Sequence, residues 1–336
     1  MDETGKRSTM RQVAKMVGVS AMTVSKALGN KPGVSDETRK RILEAAEKLR
    51  YTPNMLARSF RTDRTNTIGV IMSSNFEEVF TMLFRGIESV AAEYGFSTLV
   101  ATSGEDLARK EEVVQMLVGK RVDGLVLTSP QLFTDKERRL LDKMNIPYVL
   151  AIRSCVDSDI STVVNNNYMG GYGMVDYLAS SGSRDFLLLA LTQQRCSSRD
   201  RLRGWEDALR AHKLRVKQDN IVFAEPTIEC GYDLMRRHLA KKGKIDTVVC
   251  GSDLIALGAM TALLEKGIAI PSEVRVSGYD GIPLSAYLRI PLTTIQQPLY
   301  EIGQTSMRLL AEKIRNPSIS AQQIVINGKL VIREST

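Results

Sequence analysis

The chain is poor in the residues on which most enzyme chemistry runs. It has two histidines, four cysteines and one tryptophan in 336 residues, and aromatics make up 6%. His212 and His238 sit among lysines and arginines on predicted helix surfaces. Cys155, Cys196, Cys230 and Cys250 are scattered, with no CxxC pair and no histidine at ligand spacing. That pattern speaks against a metal site and a histidine-based triad, and it reads as reduced thiols in a cytosolic chain. No stretch approaches the ~18 continuous apolar residues of a membrane span. The opening MDETGKRSTMRQ lacks the apolar run of a secretory leader. The signatures GxGxxG, GxxxxGKS/T and GxSxG are missing as well. No cofactor is expected, and no catalytic activity.

What the chain has is a basic head on a neutral body. Lys and Arg number 46 against 38 Asp and Glu, a net of +8, and residues 1–66 alone hold 14 against 7. Such asymmetry points to nucleic acid, whose phosphates Lys and Arg neutralise. A membrane surface would also attract it, but the head has no strongly amphipathic helix with bulky aromatics.

The head carries a recognisable pattern. Thr9-x-x-Gln12 is a capping box, followed by Val13, Ala14 and Val17 on one face. Gly18 supplies a turn. Ser20 caps a second helix with Val24, Ala27 and Leu28 inward and Ala21, Met22, Thr23, Ser25 and Lys26 outward. Two short helices around such a turn, the second hydroxyl-rich and cationic, form a helix-turn-helix. The alternative is a plain αα-hairpin. Ser35 caps a third helix, with Asp36 and Glu37 at its positive end, and Thr52-Pro53 stops it. Asn54–Arg61 is a short segment with helical potential, too short to be helical unaided, and 62–67 is polar linker.

From Thr67 onward, continuous apolar strands alternate with helices, as in parallel sheets covered on both faces. Two successive series imply two doubly wound lobes. The expected organisation is an α/β chain with an all-α helix-turn-helix headpiece (1–52), a hinge helix and linker (53–66), and a two-lobed effector and dimerisation core (67–336). Lobe 1 is expected at about 67–158 and 292–318, and lobe 2 at about 159–291 and 319–336. A final β pair is expected within 324–333. Ligands in such folds bind at strand carboxyl ends, here in the cleft between lobes.

The segments VAKMVGVSAMTVSKALGN, YTPNMLARSF, TIGVIM, KRVDGLVLTSP, CGSDLIALGAM, VSGYDGIP, LTTIQQP and the terminal RES, in this order, resemble the LacI/GalR family of bacterial transcriptional repressors. The resemblance implies a core shaped like periplasmic sugar-binding proteins. It implies base-edge contacts from Ala21, Met22 and Lys26, with Ser20, Thr23, Ser25 and Asn30 on phosphates. Core packing is the alternative for Met22. In the hinge it implies Ala57 at a close helix–helix approach, Arg58 on backbone or minor groove, and Phe60 as a minor-groove wedge where relatives carry Leu. Packing on the core is the alternative for Phe60. In the cleft it points to Phe80, Arg195, Ser197, Arg201 and Asp280, with Arg153 as a further cation. That set suits a polyol, and several arginines favour a carboxylate or phosphate on it. Arg201 and Asp280 could instead be a purely structural pair.

The expectation is therefore a cytoplasmic, nucleoid-associated homodimeric repressor. It binds double-stranded palindromic operator DNA, has no membrane partner, and is gated by a sugar, sugar acid or sugar phosphate. A phosphoprotein corepressor is the alternative, suggested by QPLYEIGQTSMRLL. ALGAM (256–260) is a candidate dimer element, and no heptad helix follows to build tetramers.

Overall fold

A computed structural model describes residues 8–51, 64–72, 78–104, 107–128, 133–152, 159–192, 196–241 and 244–336. They form two compact units that divide between Thr65 and Asn66.

The first unit is helical: α1 Met10–Val17, α2 Ala21–Leu28 and α3 Asp36–Lys48. Local chemistry sets each start. Thr9 and Gln12 make the reciprocal capping box, and Ser20 and Ser35 accept from the amides of Thr23 and Thr38. Gly18 closes α1 in the left-handed region, φ 77°. Val13, Val17, Val24, Ala27, Ile42 and Ala46 make the core. Two of the head's arginines serve the fold. Arg39 donates to the Ala27 and Lys31 carbonyls at 2.7 and 2.9 Å, and Arg41 to the Val17 carbonyl at 3.2 Å. From α3 they tie down the segment that leaves α2 and the last carbonyl of α1.

The second unit contains β1 Thr67–Met72, α4 Glu78–Glu93, β2 Ser97–Thr102, α5 Leu107–Gly119, β3 Gly124–Leu127, α6 Asp135–Met144, β4 Tyr148–Ala151 and β5 Thr162–Asn165. Next come α7 Asn167–Ser180, β6 Phe186–Leu191, α8 Cys196–Ala211, β7 Ile221–Ala224, α9 Ile228–Ala240, β8 Thr247–Cys250, α10 Asp253–Glu265 and β9 Arg275–Asp280. The remainder is β10 Thr293–Gln296, α11 Leu299–Arg315, β11 Gln323–Ile326 and β12 Lys329–Val331. Two six-stranded sheets result, ordered β11-β5-β4-β3-β1-β2 and β12-β10-β9-β8-β6-β7. The β10–β12 pair is antiparallel, and the other pairs are parallel.

Both faces of each sheet are covered, which is why the strands read as unbroken apolar runs. In β6, Leu187, Leu189 and Leu191 pack toward α9 and α10, while Phe186, Leu188 and Ala190 pack toward α7 and α8. In the first lobe, α4 and α11 cover one face and α5 and α6 the other. Three helix pairs meet almost backbone to backbone through reciprocal glycines: Gly86 and Gly303, Gly171 and Gly204, Gly231 and Gly258. A Cβ at any of them would collide with a carbonyl of the facing helix.

The strands divide between lobes otherwise than expected. Residues 162–165, expected to open lobe 2, pair with β4 in the first sheet. Residues 293–296, expected in lobe 1, lie beside β9 in the second. The expected terminal β pair splits: β11 joins β5 and β12 joins β10. The sheet a strand joins is decided by partners far along the chain, and an apolar run carries no mark of that choice. The chain therefore crosses three times, each time just past a strand's carboxyl end. The crossings touch: Asn166 N donates to the Ile326 carbonyl at 2.8 Å, and Asn166 Nδ2 to Asn327 Oδ1 at 2.9 Å.

Candidate functional site

The outer face of α2 is built from the inside out. Val24 and Ala27 are buried against the other two helices, so the helical phase turns Ala21, Met22 and Lys26 to solvent. Met22 is 69% exposed, which removes core packing as its role. Ser20 and Thr23 are engaged with each other, Oγ to Oγ1 at 2.9 Å, besides the capping bond. Ser25 is half-buried, and Asn30 is exposed with φ 51° just past the end of α2. Gly33 follows in the left-handed region, φ 90°. Ala57, Arg58 and Phe60 lie outside the described residues, as do Arg153 and Arg195.

The second lobe holds a polar network at its strand carboxyl ends. Arg201, on α8, is 4% exposed. Its Nε donates to Asn167 Oδ1 at 2.9 Å and its Nη1 to the Gly251 carbonyl at 2.6 Å. The guanidinium lies over the Tyr279 ring, 3.6 Å from the centroid, and Nη1 stands 3.7 Å from Asp280 Oδ1. Asp280 Oδ1 also accepts from Gln297 Nε2 at 2.6 Å. Tyr279 Oη accepts from Asn165 Nδ2 at 2.8 Å, a bond that joins the first sheet to the second. Burial pushes the Tyr279 phenol up, against the Arg201 charge that lowers it. Asn165 Oδ1 is buried with no partner among the described residues.

Behind this network lies a second carboxyl. Asp253, at the first position of α10, is fully buried and accepts from Thr294 Oγ1 at 2.6 Å and from Ile282 N at 2.8 Å. Burial, and then the charge of Asp280, push it up to about 8. The Cys250 thiol is pushed up by burial and by Asp253.

Arg201 and Asp280 thus come together, and Ser197 sits half-buried on the first turn of α8. Phe80 does not join them. It is 4% exposed and packs in the first-lobe core with Leu83, Ile87 and Ile302, because its phase on α4 places it on the inner stripe. ALGAM is also core: Ala256, Ala259 and Met260 are buried, and Gly258 abuts the backbone of α9. Among the described residues no cluster of three metal-ligating side chains occurs, and no helix is long and apolar enough to cross a membrane.

Residues 65–334 match the model of periplasmic binding proteins and the sugar-binding domain of the LacI family, and residues 9–54 match that of bacterial regulatory proteins of the lacI family. The chain belongs to the LacI family. A relative from Mannheimia succiniciproducens, the HTH-type transcriptional repressor PurR, is 31% identical over 98% of both chains. The ribose operon repressor of Haemophilus influenzae is 30% identical over 98% of both. Among solved structures, the lac repressor dimer bound to operator and the anti-inducer ONPF aligns with a TM-score of 0.90. It is 26% identical and covers 98% of this chain and 99% of that one. The LacI-family chain is accordingly a ligand-responsive transcriptional repressor and not an enzyme. Inside the family's frame, sequence reasoning missed Asn165, Asn167, Asp253, Tyr279 and Gln297. Three of these stand within the quoted segments CGSDLIALGAM, VSGYDGIP and LTTIQQP. The NNN run at 165–167 was the remaining signal.

Proposed function

We propose that this repressor binds a palindromic operator as a homodimer and is gated by a small polyol held in the second-lobe network. The observation that carries the reading is the Arg201–Asp280 arrangement. A fixed fork of donors and an acceptor stand at strand carboxyl ends, where α/β folds bind ligands. Ser197 adds a hydroxyl, and Arg153 and Arg195 add the charge that would select a sugar acid or sugar phosphate over a neutral sugar. Phe80 shapes the first lobe from within and lends no open ring face.

On the DNA side, Ala21 and Met22 meet thymine methyls and Lys26 a guanine edge. Ser20, Thr23, Ser25 and Asn30 hold phosphates. Ala57, Arg58 and Phe60 act at the operator centre. Dimerisation is supported by the open edge of the first sheet. Among the described residues strand β2 has a neighbour on one side only, and Val100 and Met116 are exposed beside a hollow of about 840 Å³ lined also by Phe84 and Ala101. An exposed apolar edge strand invites a partner, here a second copy. A repressor of this kind works in the cytoplasm on nucleoid DNA.

The test is calorimetry on the full chain with D-ribose, cellobiose, D-glucuronate and glucose 6-phosphate, alongside selection of bound duplexes from a random pool. One saturable sugar ligand, lost in Asp280→Ala, and a palindromic selected site are expected. A chain that binds no sugar but captures a phosphorylated protein would replace this reading with the corepressor one.

A further inference from the structure

Asp280 is held in a conformation it would not choose. Its φ is 119°, followed by Gly281 at 70°, and non-glycine residues persist there only when the surroundings over-determine them. The surroundings converge on one group. Asp253 Oδ2 accepts the Ile282 amide at 2.8 Å. Thr294 Oγ1 gives its proton to Asp253 Oδ1 at 2.6 Å and receives the Gly281 amide at 3.3 Å. Asp253 and Thr294 are both fully buried. An acid at the first position of a helix commonly serves the helix itself. Here that task falls to Ser252, which accepts the Ile255 amide at 3.2 Å. The partners of Asp253 lie instead in the turn itself, at Ile282, and on β10, at Thr294. Room has been made for it as well: a Cβ at Gly278 would run into Asp253 Oδ1 and Leu292.

We propose that Asp253 is the positioning residue of the effector site, whose buried carboxyl, with Thr294 as relay, clamps the 280–282 turn and so aims Asp280 at Arg201 and Gln297. The inference rests on reading the Arg201–Asp280 network as that site. Asp253 touches no ligand in this account. It decides where the Asp280 acceptor stands, and hence which hydroxyl geometry the cleft accepts.

The experiment is amide hydrogen exchange on the full chain, read at the peptide spanning 279–284, with the peptide spanning 186–191 as control for global opening. Asp253→Ala should speed exchange in 279–284 about tenfold or more and leave the control unchanged. Asp253→Asn, which keeps an acceptor for the Ile282 amide, should restore protection. Thr294→Val, which removes only the relay hydroxyl, should show a smaller rise and guards against a misfolded Ala variant. D-ribose titrations on the same proteins should follow the same order, weakest in Asp253→Ala and close to wild type in Asp253→Asn. Unchanged exchange in Asp253→Ala and Thr294→Val overturns the clamp, whatever the sugar does. A loosened turn with unaltered ribose affinity overturns its role in aiming Asp280. A loosened turn in a chain whose wild type binds neither D-ribose, cellobiose, D-glucuronate nor glucose 6-phosphate leaves the clamp standing and sinks the polyol reading.

Discussion

Replacing Arg201 by Ala would strip four partners at once. The Gly251 carbonyl and Asn167 Oδ1 lose their charged donor, the Tyr279 ring loses its cation, and Asp280 loses the guanidinium 3.7 Å from its carboxylate. Breaking a buried, hydrogen-bonded pair from one side costs about 3–5 kcal/mol, since the groups left behind stay desolvated. With a urea m-value of about 3 kcal/mol per molar for a chain of this size, the midpoint should fall by about 1–1.7 M. The assay is built in. Trp205 is the only tryptophan, stands one helical turn beyond Arg201 on α8, and is 1% exposed, so its fluorescence follows the unfolding of this lobe. Arg201→Lys should fall between, because an ammonium keeps the charge but not the planar fork. A midpoint shift under about 0.15 M for Arg201→Ala, within the range of ordinary surface substitutions, would refute the reasoning. It would mean that the network is already wet in solution.

Lys26→Ala should cost about 1–3 kcal/mol on the selected operator and relax preference at one base position; equal losses on operator and random DNA, measured by anisotropy, would make Lys26 a phosphate contact. Gly258→Ala should lower the melting temperature by an amount matching about 1–3 kcal/mol of overpacking, because the new methyl meets the Ile228 carbonyl and Tyr232 amide; Gly173→Ala, with open space around it, should not. The Asp253 carboxyl, at about 8 against an ordinary 3.8, makes the folded state bind a proton that the unfolded state releases. Stability from this group is therefore complete below the ordinary value and is lost as pH rises through about 8. Asp280 and Cys250 are the titratable neighbours, and Asp253→Asn should flatten the slope in denaturation midpoints between these limits.

The parts of the fold that depend on neighbours in sequence were legible. Thr9 with Gln12, Ser20 and Ser35 announced three helix starts because capping needs only three or four residues. The apolar strands announced covered sheets. Residues whose role depends on distant partners were not legible in the same way. Nothing within 162–165 or 293–296 tells which sheet they join. ALGAM has the small, apolar composition of a surface interface and equally that of a tight contact between two helices in one lobe, and it is the latter. Phe80 shares a helical phase with Leu83 and Ile87, so its burial was readable, but family resemblance outweighed it. Arg201 and Asp280 were found through resemblance. Asn165, Asn167 and Gln297 were not, since short polar runs look like loop. Asp253 looked like an ordinary first-turn acid.

The reciprocal glycines of the three helix pairs bear on how the core can move. With carbonyls of one helix seated against the α-carbons of the next, neither helix can slide or roll without collision. Each pair therefore behaves as a single stiff plank. Strain introduced at the Arg201–Asp280 network is then expected to pass out of a stiff lobe to the three crossing segments past Asn165, Gln296 and Ile326. The lobes act as levers of fixed length, and the chain's small movements are concentrated where the polypeptide is thinnest.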